Sequence, residues 1–496
     1  MTANVQSIDG LIRAGRAAEA RVRLEAIAAK GRIARSQAAL LAWLAWRAGV
    51  PGIGVRLLHR LVRAEGRARA APSDRALAEY AVCLMKIGAV DEGERLLSGL
   101  DPRELPVVWL YRAFAPVLRW DYAASIPPLR SYLAAPGITA YDRLVASVNL
   151  AAALVVERDF VRADPLLREL LHRTRLRRYD FARGRVAEIV AESFLVRGKW
   201  KQGEAFLREA ERDLAAVGGI DLLATRKFQA FAGFLQDPSS TEGLIALHAV
   251  RAEALACGHW ETVRDCDRTE GLGRKDPQLM AHVYLGTPFE IFRHRLREAL
   301  PGGYQPPSRY VWRVGSGEGG PALDLARGVV VGRRAGVAVA VGKAMHRLLA
   351  VLCSDYYRPF PTAAIHARLF PGEYYNPASS PGRVRQAVRR LRRWLEAAGM
   401  PLRIEEAAGA YRLTATASCE IVVPGDRKLT HRLQPYVDKL RAAQPEGRFS
   451  VQDASRILGV SDRSALRTLE VGLRDGALDR VGKGSLTRYE FRKKAA

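Results

Sequence analysis

Along residues 1–300 the apolar positions recur at three- and four-residue intervals, the spacing of amphipathic helices, and no stretch alternates as a strand would. Four segments share a finer pattern: LIRAGRAAEARVRLEAI (11–27), CLMKIGAVDEGERLLSGL (83–100), LVVERDFVRADPLLREL (154–170) and FLVRGKWKQGEAFLREA (194–210). Each runs from an apolar helix end through a short turn, at Gly15, Gly88, Arg158 or Gly198, into a second amphipathic helix. Five residues past the turn stands a small residue (Ala20, Gly93, Ala163, Gly203), and nine past it a leucine (Leu24, Leu97, Leu167, Leu207). The spacing predicts antiparallel helix pairs, because paired helices approach closely only where one side chain is short. Weaker copies at Gly49 (small Gly54) and Trp120 (small Ser125, then Leu129) give turns separated by 34, 39, 32, 38 and 40 residues. The pattern fades after residue 240. FEIFRHRLREAL (289–300) closes the helical region, and PGGYQPPSRYVWRVGSGEGGP (301–321) reads as a linker by its Gly and Pro content.

The helix–turn–helix core, the small residue and a period near 34 resemble the tetratricopeptide repeat, here as a divergent array over residues 1–300. The resemblance implies an α-solenoid whose stacked hairpins bind a peptide or protein partner.

Beyond the linker the pattern changes. ALDLARGVVVGRRAGVAVAV alternates as a small antiparallel sheet would, KAMHRLLAVLC (343–353) and PTAAIHARLF are short helices, and PGEYYNPASSPG is a turn-rich loop. PGRVRQAVRRLRRWLEAAG (381–399) then carries six arginines against one acid, Glu396, before LRIEEAAGAYRLTAT reads strand, turn, strand. In a helix Val384, Val388, Leu391 and Leu395 form one stripe. Arg383, Gln386, Arg389, Arg390 and Arg393 lie opposite, with Arg385 and Arg392 on the flanks. A helix fits the DNA major groove, where arginine grips guanine O6 and N7, while neighbouring arginines hold phosphates.

Sheet, two helices, loop, long helix and hairpin over residues 322–416 resemble the OmpR/PhoB-type winged helix–turn–helix domain. The matching residues are Arg347-Leu348-Leu349, Leu369-Phe370, Val384, Val388, Leu391-Arg392-Arg393, Leu395 and Gly409-Ala410-Tyr411-Arg412-Leu413. The resemblance implies a recognition helix at Arg385, Gln386, Arg389, Arg390 and Arg393, and a wing whose Arg412 meets the adjacent minor groove. Members of that family usually carry a receiver domain of alternating strands and helices. Residues 1–300 show none, so control through the helical array is expected in its place.

Residues 427–496 form the last domain. In GRFSVQDASRILGVSDRSALRTLEVGLRDGALDRVGKGSLTRYEF (447–491), Ser450 with Asp453 has the shape of a capping box, Gly459 makes a turn, and Gly476 ends the next helix. Ala465, Leu466, Leu469 and Leu473 are expected inward, leaving Arg463, Ser464, Arg467 and Thr468 to face DNA and Lys483 at a hairpin tip to meet phosphate. This pattern resembles the short winged helices of many bacterial repressors, some of which bind protein instead.

Composition narrows the reading. The chain has 496 residues, room for about three domains. Its net charge of +26 is uneven: residues 301–496 hold 33 Lys and Arg against 17 Asp and Glu, and residues 1–300 hold 45 against 35. A basic module joined to a less charged one is the footprint of a polyanion binder. Five scattered cysteines form no CxxC pair, and MTANVQSIDG is no secretory leader, so a cytoplasmic, nucleoid-associated protein is expected. GVAVAVGKA (336–344) has the wrong spacing for a phosphate loop, GSGEGG (315–320) leads into proline, and no HExxH occurs. No enzyme activity, cofactor or metal is expected.

The expected fold class is therefore mainly α: an N-terminal α-solenoid of tetratricopeptide-like hairpins followed by two α+β winged helix–turn–helix domains. The expected function is a sequence-specific DNA-binding transcriptional regulator whose repeats act as a protein or peptide interaction or sensing module. The alternative is a scaffold that binds RNA or nucleoid DNA without sequence choice. Expected partners are double-stranded DNA and a protein or peptide on the repeats, with RNA polymerase one candidate, no membrane, and a homodimer one candidate assembly.

Overall fold

The structure, a computed structural model, describes all residues except 1–2, 30–32, 64–70, 177–178, 216–217, 301–302, 318, 332–337, 426–433, 444–446, 475–476, 483, 485–486 and 492–496. The chain divides into two compact units, residues 1–305 with 360–382, and residues 306–359 with 383–496.

The first unit is an array of paired helices. The pairs are Ala3–Arg13 with Ala17–Ala29, Arg35–Arg47 with Pro51–Val62, Asp74–Lys86 with Val90–Ser98, and Phe114–Leu118 with Tyr122–Ala134. Ala140–Val156 with Phe160–Leu176 and Asp180–Leu195 with Trp200–Leu214 follow. All six turns share one geometry. Gly15, Gly49, Gly88, Trp120, Arg158 and Gly198 have φ between 57° and 100°, and the next residue donates its N–H to the carbonyl five positions back at 2.8–3.0 Å. This closes the first helix with a left-handed residue and turns the chain into the second. Glycine takes that conformation without strain, whereas Trp120 and Arg158 hold it against their own side chains.

The small residues lie where the pairs touch. Ala20, Ser125 and Ala163 are wholly buried, and a Cβ on Gly93 would stand 2.4 Å from Met85 Cγ and 2.6 Å from the Ala81 carbonyl oxygen. The leucines four residues on, Leu24, Leu97, Leu129, Leu167 and Leu207, are at most 3% exposed. The N-terminal region is thus a tetratricopeptide-like helical array, and it runs further than the sequence pattern. Helices Gly219–Gln236, Thr241–Cys257, Trp260–Arg274, Pro277–Leu285 and Glu290–Glu298 continue it. Gly258 and Lys275 repeat the left-handed turn, but the positions five residues on, Val263 and Met280, are large. That is why the small-residue signal fades there.

Residues 360–382 fold with this unit although they lie within the stretch expected as one C-terminal domain. Ala364 abuts the Gly88 turn, where a Cβ on the glycine would come within 2.7 Å of the Ala364 Cβ. Buried Glu92 accepts from Arg63 Nη2 through one oxygen and from the Tyr375 N–H through the other, both at 2.7 Å. The Arg63 guanidinium also lies over the Tyr374 ring at 5.0 Å.

In the second unit a four-stranded sheet runs in the order Arg309–Val314, Cys419–Pro424, Ala322–Asp324, Val329–Val330. The first two strands pair antiparallel over six residues, and Cys419–Pro424 runs parallel to Ala322–Asp324. Two expectations change. Residues 301–321 are not linker throughout, because RYVWRV, aromatic and β-branched between the glycines and prolines, supplies an edge strand. The sheet is mixed rather than antiparallel, and its inner strand comes after residue 416. Of GVAVAV (336–341), residues 336–337 lie outside the described residues.

Among the described residues, no helix is long and apolar enough to cross a membrane, and no group of three or more His, Cys, Asp or Glu is placed to hold a metal.

Two outcomes follow from the array. Ala163→Trp forces a large ring between paired helices and should lower stability by about 1–3 kcal/mol in denaturant unfolding. Glu192 lies in a charged cluster with Lys227, Glu188, Asp265 and Arg268. Burial pushes its carboxyl up to about 7, against the attraction of Lys227. A carboxyl whose pKa is higher folded than unfolded favours the fold while protonated, and that advantage is lost as pH rises through the folded value. Glu192→Gln should therefore melt higher than the wild type at about pH 8 and show no gain at about pH 4.

Candidate nucleic-acid interface

The helix Ser380–Ala397 realises the two faces read from its sequence. Val384, Val388, Leu391 and Leu395 are at most 1% exposed, so the apolar stripe is entirely spent on packing. Arg383, Arg385, Gln386, Arg389, Arg390 and Arg393 all face solvent. Among the described residues, Arg385, Arg389, Arg390 and Arg393 make no hydrogen bond or ion pair with any side chain or carbonyl. Four exposed guanidiniums within three turns repel one another, a repulsion that water and salt screen and that a bound anion would relieve further.

Arg392 behaves differently. Its Nε and Nη2 both donate to the Ile404 carbonyl oxygen, at 3.1 and 2.6 Å. It ties the helix to the first strand of the hairpin Leu402–Ala407/Ala410–Ala415, so part of its donor set is spent on bracing the fold while the side chain stays exposed. The cause is its place on the flank, where a long side chain reaches the neighbouring backbone. Sequence spacing gave that position but not the carbonyl beside it.

The hairpin turns through Ala408 and Gly409, with φ of 50° and 75°, the two left-handed residues of a tight type I′ connection. Tyr411 is buried beneath it, and burial pushes its hydroxyl up to about 12. Arg412 is exposed but pairs across the strands with Glu405 at 2.9 Å, and that bond holds the Glu405 carboxyl below its ordinary range. An exposed pair of this kind is worth about 0.2–1 kcal/mol, little enough for a phosphate to displace it.

The last domain has its own core of Leu440, Phe449, Ala454, Leu458, Ala465, Leu469, Leu478 and Tyr489. Ser450 and Asp453 form the capping box reciprocally, at 2.9 and 3.1 Å, and Gly459 turns left-handed at φ 67°. In the helix Asp462–Arg474, Arg463, Ser464 and Arg467 are exposed. Two expectations exchange places here. Thr468 is 2% exposed, its hydroxyl donating to the Ser464 carbonyl at 3.1 Å, while Leu466 is 39% exposed. The inner face follows 465, 468, 469 and 472, where a Cβ on Gly472 would lie 2.5 Å from Leu478. A threonine that satisfies its own hydroxyl on the helix backbone is cheap to bury, and apolarity alone misassigned the pair. Lys483 and Gly476 lie outside the described residues.

No family model and no curated protein matches the sequence. Among solved structures the chain is similar to a Rap protein complexed with Competence and Sporulation Factor, at 12% identity and a TM-score of 0.42 over 60% of this chain and 87% of that one. It is also similar to the apo form of RapI, at 12% identity and a TM-score of 0.36 over 57% and 85%. Likenesses this loose fix neither fold nor function.

The two kinds of arginine separate by stability. Arg392→Ala removes two hydrogen bonds between helix and hairpin and should cost about 1–3 kcal/mol in unfolding free energy. Arg389→Ala touches nothing in the fold and should stay within about 0.5 kcal/mol of the wild type. Equal losses would mean that Arg392 does no bracing.

Proposed function

We propose that this protein is a sequence-specific DNA-binding transcriptional regulator, with the arginine helix as its reading element and the helical array as its protein- or peptide-binding module. The observation that carries this reading is the division of one helix into a buried apolar stripe and an exposed face of Arg385, Arg389, Arg390 and Arg393, which make no hydrogen bond or ion pair among the described residues. A helix of that width enters a major groove, and arginines on it hold guanine edges or flanking phosphates. The order of helices and hairpin around it supports a winged helix–turn–helix domain. The exposed Arg463 and Arg467 of the last domain offer a second, smaller basic face. Arg412, released from Glu405, extends the first face along the hairpin.

The test uses the full chain, because Ala363 and Tyr375, 2% and 8% exposed, are packed in the helical unit and a fragment beginning at 322 would lay them bare. A pool of random duplexes is selected on the protein, and the enriched duplex and a scrambled one are titrated at several salt concentrations. Enrichment of one sequence is expected. Arg389→Ala should then lose about 1–3 kcal/mol concentrated on that sequence if Arg389 meets a base. If it meets only phosphate, both duplexes should weaken alike and the salt slope should shrink by roughly one. Binding without any enrichment would favour the nucleic-acid scaffold, and no binding to either duplex would remove the DNA reading.

A further inference from the structure

The helical array encloses a cavity of about 310 Å³, open to solvent, between the helices Arg35–Arg47, Asp74–Lys86, Val107–Arg112 and Ala140–Val156. That volume is at the lower end of the range of small-ligand sites. Five aromatic side chains contribute to its wall: Trp43, Trp46, Tyr111, Tyr132 and Tyr141. Such rings offer large, stiff apolar faces at little conformational cost.

Beneath the wall lies Glu79, completely buried. Its carboxylate accepts from Trp46 Nε1 at 2.8 Å, from the Tyr111 hydroxyl at 2.7 Å and from Arg75 Nη2 at 2.6 Å. Burial raises the pKa of this carboxyl, against the pull of Arg75 and the Tyr111 and Trp46 hydrogen bonds. One buried anion thus fixes two rings and one guanidinium of the same cavity. Trp46 and Tyr111 meet edge to face, with centroids 5.9 Å apart, and Arg47 lies over Trp43 at 4.2 Å while pairing with Asp9.

The unspent chemistry of the wall is specific. Arg75 carries five N–H donors, of which its fork gives Glu79 one contact, and its side chain remains 42% exposed. Opposite charge is supplied by Asp142, which lines the same cavity and accepts from the Thr139 hydroxyl at 2.7 Å. The cavity therefore offers an aromatic slot, a guanidinium with donors to spare, and a carboxylate acceptor.

We propose that this cavity binds the C-terminal aromatic residue of a peptide. The ring fills the aromatic slot, the terminal carboxylate takes the free donors of Arg75, and the last amide N–H donates to Asp142. Arginine and carboxylate match in a two-point fork, which gives this end of a peptide an advantage over its interior. Arg47 and Arg75 on the wall disfavour an ammonium ion among the rings. The proposal rests on the reading of the array as a peptide-binding module and gives that module a site and a ligand class.

Calorimetric titration of the full chain tests it with four probes: N-acetylphenylalanine, its amide, phenylacetate and phenethylamine. N-acetylphenylalanine is expected to bind saturably at one site, with the amide at least about tenfold weaker, because it loses a charge-assisted hydrogen bond. Phenylacetate, which lacks the amide N–H, should fall between them, and phenethylamine should not bind. Val145→Trp, at a residue 37% exposed on the cavity wall, should abolish binding without lowering the melting temperature. Arg75→Gln should make the acid and the amide bind alike, which keeps the proposal testable should Val145→Trp fail to fold. No saturable binding of N-acetylphenylalanine, or binding undiminished in a folded Val145→Trp protein, would overturn the site. Phenylacetate binding more tightly than N-acetylphenylalanine would overturn the peptide as ligand. Phenethylamine binding as tightly as the acids would overturn the anionic ligand. These readings involve no DNA, so they stand or fall separately from the arginine helix.

Discussion

The helical array depends on one backbone constraint: to pair two helices across a turn of three or four residues, a single residue must go left-handed at the end of the first. Six successive hairpins meet it in the same way, with the following N–H bonded five residues back. In these six hairpins the residue five positions on, where the two helices first touch, is small. Gly93 shows how little room there is, since even a methyl group would meet a carbonyl oxygen. The leucine four residues further closes the contact. The aromatic cavity and the buried Glu79 both sit between helices held by these turns.

Charge is distributed by the same economy. Among the described residues of the array, many arginines are paired, such as Arg47 with Asp9, Arg183 with Asp213, Arg197 with Asp164 and Arg251 with Asp267. On the arginine helix four make no ion pair among the described residues, and the one acid in that segment, Glu396, cannot balance them. Surface pairs contribute little to stability, so selection for the fold alone places no demand for an unpaired cluster. An unpaired cluster on a single helical face is therefore informative about ligands, and a polyanion is the ligand we propose for it.

The chain passes from one unit to the other within a single helix. Residues 360–382, including the first three of the arginine helix, fold with the helical array, and the rest of that helix folds with the second unit. Ser380 is held inside this segment by His366 at 3.0 Å and by the Asn376 N–H at 3.0 Å. Glu92 anchors Tyr375 only five residues before the helix begins. The start of the arginine helix is thus set by contacts of the array, which a reading of 322–416 as one self-contained domain does not anticipate.

Local patterns were legible wherever a short-range rule controls the outcome. The turns at Gly15, Gly88, Arg158 and Gly198, the small residues after them, the Val384-to-Leu395 stripe and the Ser450 capping box are all consequences of spacing within a few residues. What the sequence by itself determined is this set of elements and the faces they bury. Tertiary structure alone decided which distant groups meet. Arg392 finds the Ile404 carbonyl, Arg412 finds Glu405, Glu92 finds Tyr375 across 283 residues, and Glu79 gathers Trp46, Tyr111 and Arg75. The edge strand Arg309–Val314 acquires its partner only from Cys419–Pro424, more than a hundred residues on. The physical reason is that a polar group's partner is chosen by proximity after folding, whereas helical periodicity and turn chemistry act before it. An arginine's sequence position shows the face it is on, and only the packed neighbours show whether its charge is already spent.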